Sequence, residues 1–194
     1  MKQMIFLILF LSTCAALAQD WQKSGLDSFY IDNSERMVLV SPADKFGMAF
    51  KSGNLPDYNE RFWLKADWWN LETPKETDAY LAFGNGSGDS LQLWAAGYSL
   101  KQKKITFGKI RLHPDGGFQY DVLFQKPVEI VDHRRIYVFM FIFYRETNHV
   151  KIEVNGVPML IEAPPLTVAD GFDYFGYMVR SGKVRFQDMI VEGR

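Results

Sequence analysis

The segment from Arg61 to Trp69 reads Arg-Phe-Trp-Leu-Lys-Ala-Asp-Trp-Trp. In an extended chain side-chain direction repeats every two residues, so Phe62, Leu64, Ala66 and Trp68 share one face and Trp63, Lys65, Asp67 and Trp69 the other. The second set mixes indole rings with an ammonium and a carboxylate. Such a face suits a sugar ring, whose C–H side stacks on an aromatic while its hydroxyls bond to charged groups. Gln92 with Trp94, and Gln119 with Asp121, can extend the face from other strands. The competing use of these tryptophans is packing, since Trp is highly buried on average.

Other residue clusters offer less chemistry. Glu76-Thr77-Asp78-Ala79-Tyr80-Leu81 carries two carboxylates and begins in a polar loop, Glu72 to Asp78. Glu129 and Asp132 lie near His133 and before Arg134-Arg135, a context that reads as surface ion pairs. His113, His133 and His149 have no serine in a Gly-x-Ser-x-Gly context. Asn85-Gly86-Ser87-Gly88-Asp89 places oxygen ligands at alternate residues, as calcium loops do, but lacks the remaining acidic positions of an EF-hand. It reads as a glycine-rich turn, with a structural calcium as the alternative. No cofactor is otherwise expected.

These side chains must be positioned by strands, because nowhere does an apolar stripe of period 3.6 persist. His149 to Val154 alternates, with Val150, Ile152 and Val154 expected inward. Further strands are expected over Met37 to Val40, Phe46 to Lys51, Ala79 to Phe83, Ser90 to Ala96, Lys104 to Ile110, Phe118 to Phe124, Arg135 to Tyr144, Tyr174 to Val179 and Lys183 to Val191. Asp115-Gly116-Gly117, Asn155-Gly156 and Arg180-Ser181-Gly182 supply residues that tolerate the positive φ of tight hairpins. Pro164-Pro165 marks Glu162 to Gly171 as a crossover. Arg135 to Tyr144 is apolar on both faces. It is expected either as a central strand covered by loops or as a groove floored by Tyr137, Phe139, Phe141 and Phe143.

Lys2, the apolar run Met4 to Leu11 and Ala16-Leu17-Ala18 form a secretory leader, residues 1–18. One domain is expected over residues 19–194. The single cysteine, Cys14, leaves with the leader, so the exported domain holds itself together without disulfides. The chain has 22 basic and 23 acidic residues, net −1, in no long run. That balance argues against a nucleic-acid or anionic-membrane partner.

Arg135 to Leu160, a long apolar strand followed by Val150-Lys151-Ile152-Glu153-Val154-Asn155-Gly156, resembles the paired strands and Asn-Gly turn of laminin G-like and concanavalin A-like domains. The ending from Gly176 to Val191 resembles their closing hairpin, and the likeness runs from Glu60 to Arg194. It implies an all-β, two-sheet antiparallel jelly-roll sandwich of the concanavalin A-like kind. That superfamily hosts glycan-binding modules and polysaccharide-active enzymes, and fold alone does not choose between them. Laminarinase-type sandwich glucanases carry Glu-x-Asp-x-x-Glu on one strand; here Leu81 replaces the third carboxylate. A weaker resemblance, to 3-keto-disaccharide hydrolase domains, carries over no specific residues.

The expected function is a secreted or periplasmic, non-catalytic carbohydrate-binding domain with a glycan partner. The alternatives are a glycoside hydrolase-like enzyme and a protein-interaction module using the apolar outer face of Arg135 to Tyr144. Expressed with its own leader, the exported protein should begin at Gln19, and intact-mass measurement of exported material will show whether residues 1–18 have been removed.

Overall fold

The computed structural model describes residues 21–53, 61–71, 77–86, 91–130, 136–162, 164, 166, 172–187 and 189–193, with the backbone alone for 61–64, 66, 70 and 193. The expected leader, Glu76, Ser87 to Asp89, Asp132, His133 and the Trp63 side chain therefore lie outside the described residues. The strands are β1 Gln22–Ser24, β2 Ser28–Ile31, β3 Met37–Ser52, β4 Arg61–Asn70, β5 Asp78–Asn85, β6 Gln92–Ser99, β7 Lys104–Leu112, β8 Phe118–Pro127, β9 Ile136–Tyr144, β10 His149–Val154, β11 Val157–Glu162, β12 Tyr174–Phe186 and β13 Ile190–Gly193.

All strand pairs are antiparallel. One sheet runs β11-β10-β9-β4, then the second half of β12, the first half of β3, and β2; β13 also pairs with β4. The other runs β8-β7-β6-β5, then the first half of β12, the second half of β3, and β1. The result is an all-β jelly-roll sandwich in which β3 and β12 belong to both sheets.

The change of sheet happens at one corner. β12 pairs with Phe46 to Ser52 of β3 on one side and Met37 to Ser41 on the other, and the register breaks between Arg180 and Gly182. Asp44 and Ser181 both adopt φ of 56°, and Gly182 follows at 107°. The Asp44 N–H donates to Ser181 Oγ (2.8 Å) and Ser41 Oγ donates to the Lys45 carbonyl (2.6 Å). A bulge of this kind bends both strands together, which is how a strand passes from one sheet to the next. Arg180-Ser181-Gly182 was expected to close a hairpin, but the chain continues through it as β12. Its left-handed residues face a matching bulge in β3, so they bend the strand pair instead of reversing the chain.

Local alternation is obeyed elsewhere. Val150, Ile152 and Val154 are fully buried between the sheets, as are Trp68, Phe83, Phe107 and Phe141. Asn155 and Gly156, with φ of 48° and 82°, form the two-residue turn joining β10 to β11. On β9, Tyr137, Phe139, Phe141 and Phe143 are buried in this core, so they floor no open groove. The opposite face of β9 leaves Val138 exposed and Ile142 nearly covered.

The outer face of the second sheet is also packed. Met48, Phe50, Tyr80, Ala82, Leu93, Ala95, Ile110 and Met178 form a second buried cluster there, joined by Phe46, Phe118 and Tyr120. The sheet curls until its edges meet: Ser24 Oγ, on β1, donates to the Gly116 carbonyl beyond β7 (2.5 Å). Across the curl, Phe46 lies 5.6 Å from Tyr120 and 6.4 Å from Phe118, centroid to centroid. Asp78 is buried at the corner end of this face, 3.9 Å from Arg180. Burial pushes its carboxyl above the usual range, against the Ser99 hydroxyl and the Arg180 charge.

Removing a buried branched side chain costs its transfer energy plus a cavity. Ile152→Ala should therefore lose about 2 to 5 kcal/mol, whereas Leu160→Ala, at a side chain 62% exposed, should stay within about 0.5 kcal/mol. Urea unfolding of both variants checks the difference.

Candidate functional site

The residues expected to form one face are split among three places. Lys65, Asp67 and Trp69 lie half-buried on the outer face of the first sheet, and Trp69 is capped by Arg36, whose guanidinium carbon is 4.6 Å from the ring. Gln119 is exposed on edge strand β8, where its amide donates to Asp121 Oδ1 (2.7 Å) and Arg111 Nε meets Asp121 Oδ2 (2.6 Å). Gln92 is exposed at the start of β6. Trp94 is 1% exposed and stacks toward Phe83 between the sheets, so it is a core residue and not part of a ligand face. β4 and β8 belong to opposite sheets, which keeps the remaining residues from forming one platform.

Of the two carboxylate pairs considered for catalysis, one member each, Asp78 and Glu129, lies among the described residues. Glu129 is held by Lys103 (2.6 Å), which together with its hydrogen bond lowers its carboxyl pKa, and Asp78 lies buried at the corner. Among the described residues no group of three or more His, Cys, Asp or Glu side chains could hold a metal ion.

A cleft of about 530 Å³ opens at one end of the inter-sheet space. It is lined by Trp21, Ile31, Glu35, Met37, Lys51, Phe175, Tyr177 and Met189. Strand register explains the meeting. Phe175 pairs with Lys51 and Tyr177 with Ala49, so these side chains share the inward face of β12 and β3 at the sheet's end. Trp21 precedes β1 and stacks on Tyr177 at 5.9 Å and 20°. The Tyr177 hydroxyl donates to the Gln187 carbonyl (3.1 Å). Lys51 Nζ lies 5.2 Å from the Trp21 ring and 5.3 Å from the Phe175 ring. Gly53 backs the Phe175 ring, and a Cβ there would strike it.

Glu35 reaches the cleft from the β2–β3 turn. It adopts φ of 58°, and the turn is pinned by Asp32, whose Oδ1 accepts from the Ser34 and Arg36 N–H groups (2.8 and 3.1 Å). Arg185 Nε lies 2.7 Å from Asp32 Oδ2. Burial pushes this carboxyl up, but the Arg36 and Ser34 amides and the Arg185 charge outweigh it and hold the pKa below its ordinary 3.8. The same turn thus sets Glu35 at the cleft and Arg36 on Trp69.

Sequence reasoning missed this site. Trp21 stands alone before a short strand, and Lys51 and Phe175 sit at strand ends where alternation carries no sign of an opening. The half-buried Phe175 ring, backed by Trp21 and Tyr177 of the core, can stack a ring while one ammonium and one carboxylate bond its hydroxyls.

A depressed carboxyl pKa stabilises the fold above the unfolded value and loses that contribution as pH falls through the folded value. Asp32→Ala should cost about 1 to 3 kcal/mol at neutral pH, and its gap from the parent should close as the pH is lowered below 3.8. Urea unfolding across that acid range is the measurement.

No family model matches the chain, and no curated protein matches it in sequence. Solved structures do resemble it. A protein of unknown function with a galectin-like fold from Bacillus subtilis aligns over 90% of each chain at TM-score 0.62 and 14% identity. The carbohydrate binding module CBM66 from Bacillus subtilis aligns over 90% of this chain and 96% of its own at 0.61 and 18%. The potassium-bound carbohydrate recognition domain of Emp46p aligns over 91% and 90% at 0.63 and 10%. At these identities the likeness is one of fold: the chain shares the jelly-roll sandwich of these proteins along nearly its whole described length.

Proposed function

We propose that this protein is an exported, non-catalytic carbohydrate-binding domain that holds a glycan in the cleft between Trp21 and Phe175. The observation that carries the reading is the cleft's composition. Phe175 is half-buried at the opening, in position to stack a sugar, while Lys51 and Glu35 offer a donor and an acceptor for its hydroxyls. In the curled second sheet Phe46, Phe118 and Tyr120 pack into the concavity. Two structural neighbours, a carbohydrate binding module and a carbohydrate recognition domain, support the same reading by analogy of fold.

Glycan-array screening of the mature domain, followed by isothermal titration, tests the proposal. Phe175→Ala should weaken binding roughly tenfold with an unchanged melting temperature, and Trp69→Ala should leave affinity unaltered. Weakening by Trp69→Ala alone would transfer the site to the outer face of the first sheet, with Lys65 and Asp67. Absence of binding to every glycan would refute the proposal.

A further inference from the structure

Among the described residues lining the cleft there is one lysine, and it is held by two rings at once. Lys101, Lys103 and Lys151 each face a carboxylate within 4.0 Å, and Lys23 and Lys183 each lie over a single ring. Lys51 has no carboxylate partner among the described residues; its ammonium instead lies about equally far from the Trp21 and Phe175 rings, 5.2 and 5.3 Å from their centroids. Ring faces attract a cation electrostatically, but they satisfy an ammonium's three N–H donors poorly beside a true oxygen acceptor. Lys51 is also half-buried, so part of the water that would otherwise serve those donors is displaced.

Resting on the glycan-binding reading above, we infer that the cleft selects an acidic sugar, a ring bearing a carboxylate, with that carboxylate on Lys51 Nζ and its C–H face on Phe175. An ionised acceptor gains more from a partly desolvated ammonium than a neutral hydroxyl does. Glu35 opposes a second negative group on its own side. It lies on the exposed β2–β3 turn, whereas Lys51 projects from the sheet between two rings. Charge therefore sets the ligand's direction: carboxylate toward Lys51, hydroxyls toward Glu35. Reversing the ring would bring two carboxylates together and leave the ammonium with hydroxyls alone. The cleft volume lies within the usual range for small-ligand sites, which suits a terminal or short saccharide.

Isothermal titration with a panel of uronic-acid oligosaccharides and their carboxyl-reduced counterparts tests this. The parent protein should bind the acidic member of its best pair about tenfold or more tightly, with the margin narrowing as salt is added. Lys51→Met keeps much of the apolar stem and should erase the margin; Lys51→Arg should retain it. Equal or tighter binding of the carboxyl-reduced ligand, or a margin that survives Lys51→Met, overturns the inference while leaving glycan binding intact. If neither panel nor a neutral glycan array yields any ligand, both readings fall. The comparison within the parent protein holds even if a variant fails to fold.

Discussion

Two strands carry the architecture because each serves both sheets. β3 and β12 lie side by side for nearly their whole lengths, and where one bulges at residues 42–45 the other breaks register at Ser181. The extra residues on β3 lie at the surface, with Ala43, Asp44 and Lys45 exposed, so their backbone groups reach water. Placed opposite each other, the two irregularities let a single hydrogen-bonded ladder turn a corner. The left-handed residues Asp44, Ser181 and Gly182 are the local means, and the Asp44–Ser181 bond links the two bulges. With β3 and β12 bent, the remaining strands are added outward on each sheet.

That corner also governs where a ligand can go. It lets the second sheet curl until β1 touches the loop beyond β7, and aromatic side chains then fill the concavity. On this hollow face Tyr80, Tyr120 and Phe46 pack their rings on one another. At the other end of the β3–β12 pair the sheets part into a cleft, where Trp21 and Tyr177 close the core and Phe175 is left half-buried at the opening. Packing thus moves the aromatic surface from the face of a sheet to the end of the sandwich.

Electrostatics there follows from turn geometry. Asp32 accepts two backbone N–H groups and an Arg185 contact, which fixes a turn with Glu35 on one side and Arg36 on the other. Arg36 covers the Trp69 ring, so the tryptophan that stands out in the sequence is capped. The charge left facing the cleft is that of Lys51 and Glu35. Asp78, buried beside Arg180, belongs instead to the corner and bears on stability.

What the sequence determined by itself is local. Alternation along β10, and at Trp68 of β4, assigns the inward face correctly because a pleated strand leaves side chains no other choice, whereas β9, apolar on both faces, gives no such sign; Asn155-Gly156 specifies its turn because few residue pairs accept two positive φ angles in succession. The same local signal at Ser181-Gly182 had two outcomes, a hairpin or a bend, and only the matching bulge in β3 decided between them. Trp94 alternates as a binding residue would; its burial depends on Phe83 arriving from the neighbouring strand and on the inter-sheet core around both. The cleft depends still more on distant partners, since Trp21, Lys51 and Phe175 come from three separate parts of the chain and acquire meaning only when β1, β3 and β12 end together. Periodicity reports which way a side chain points, and tertiary structure alone decides what it meets there.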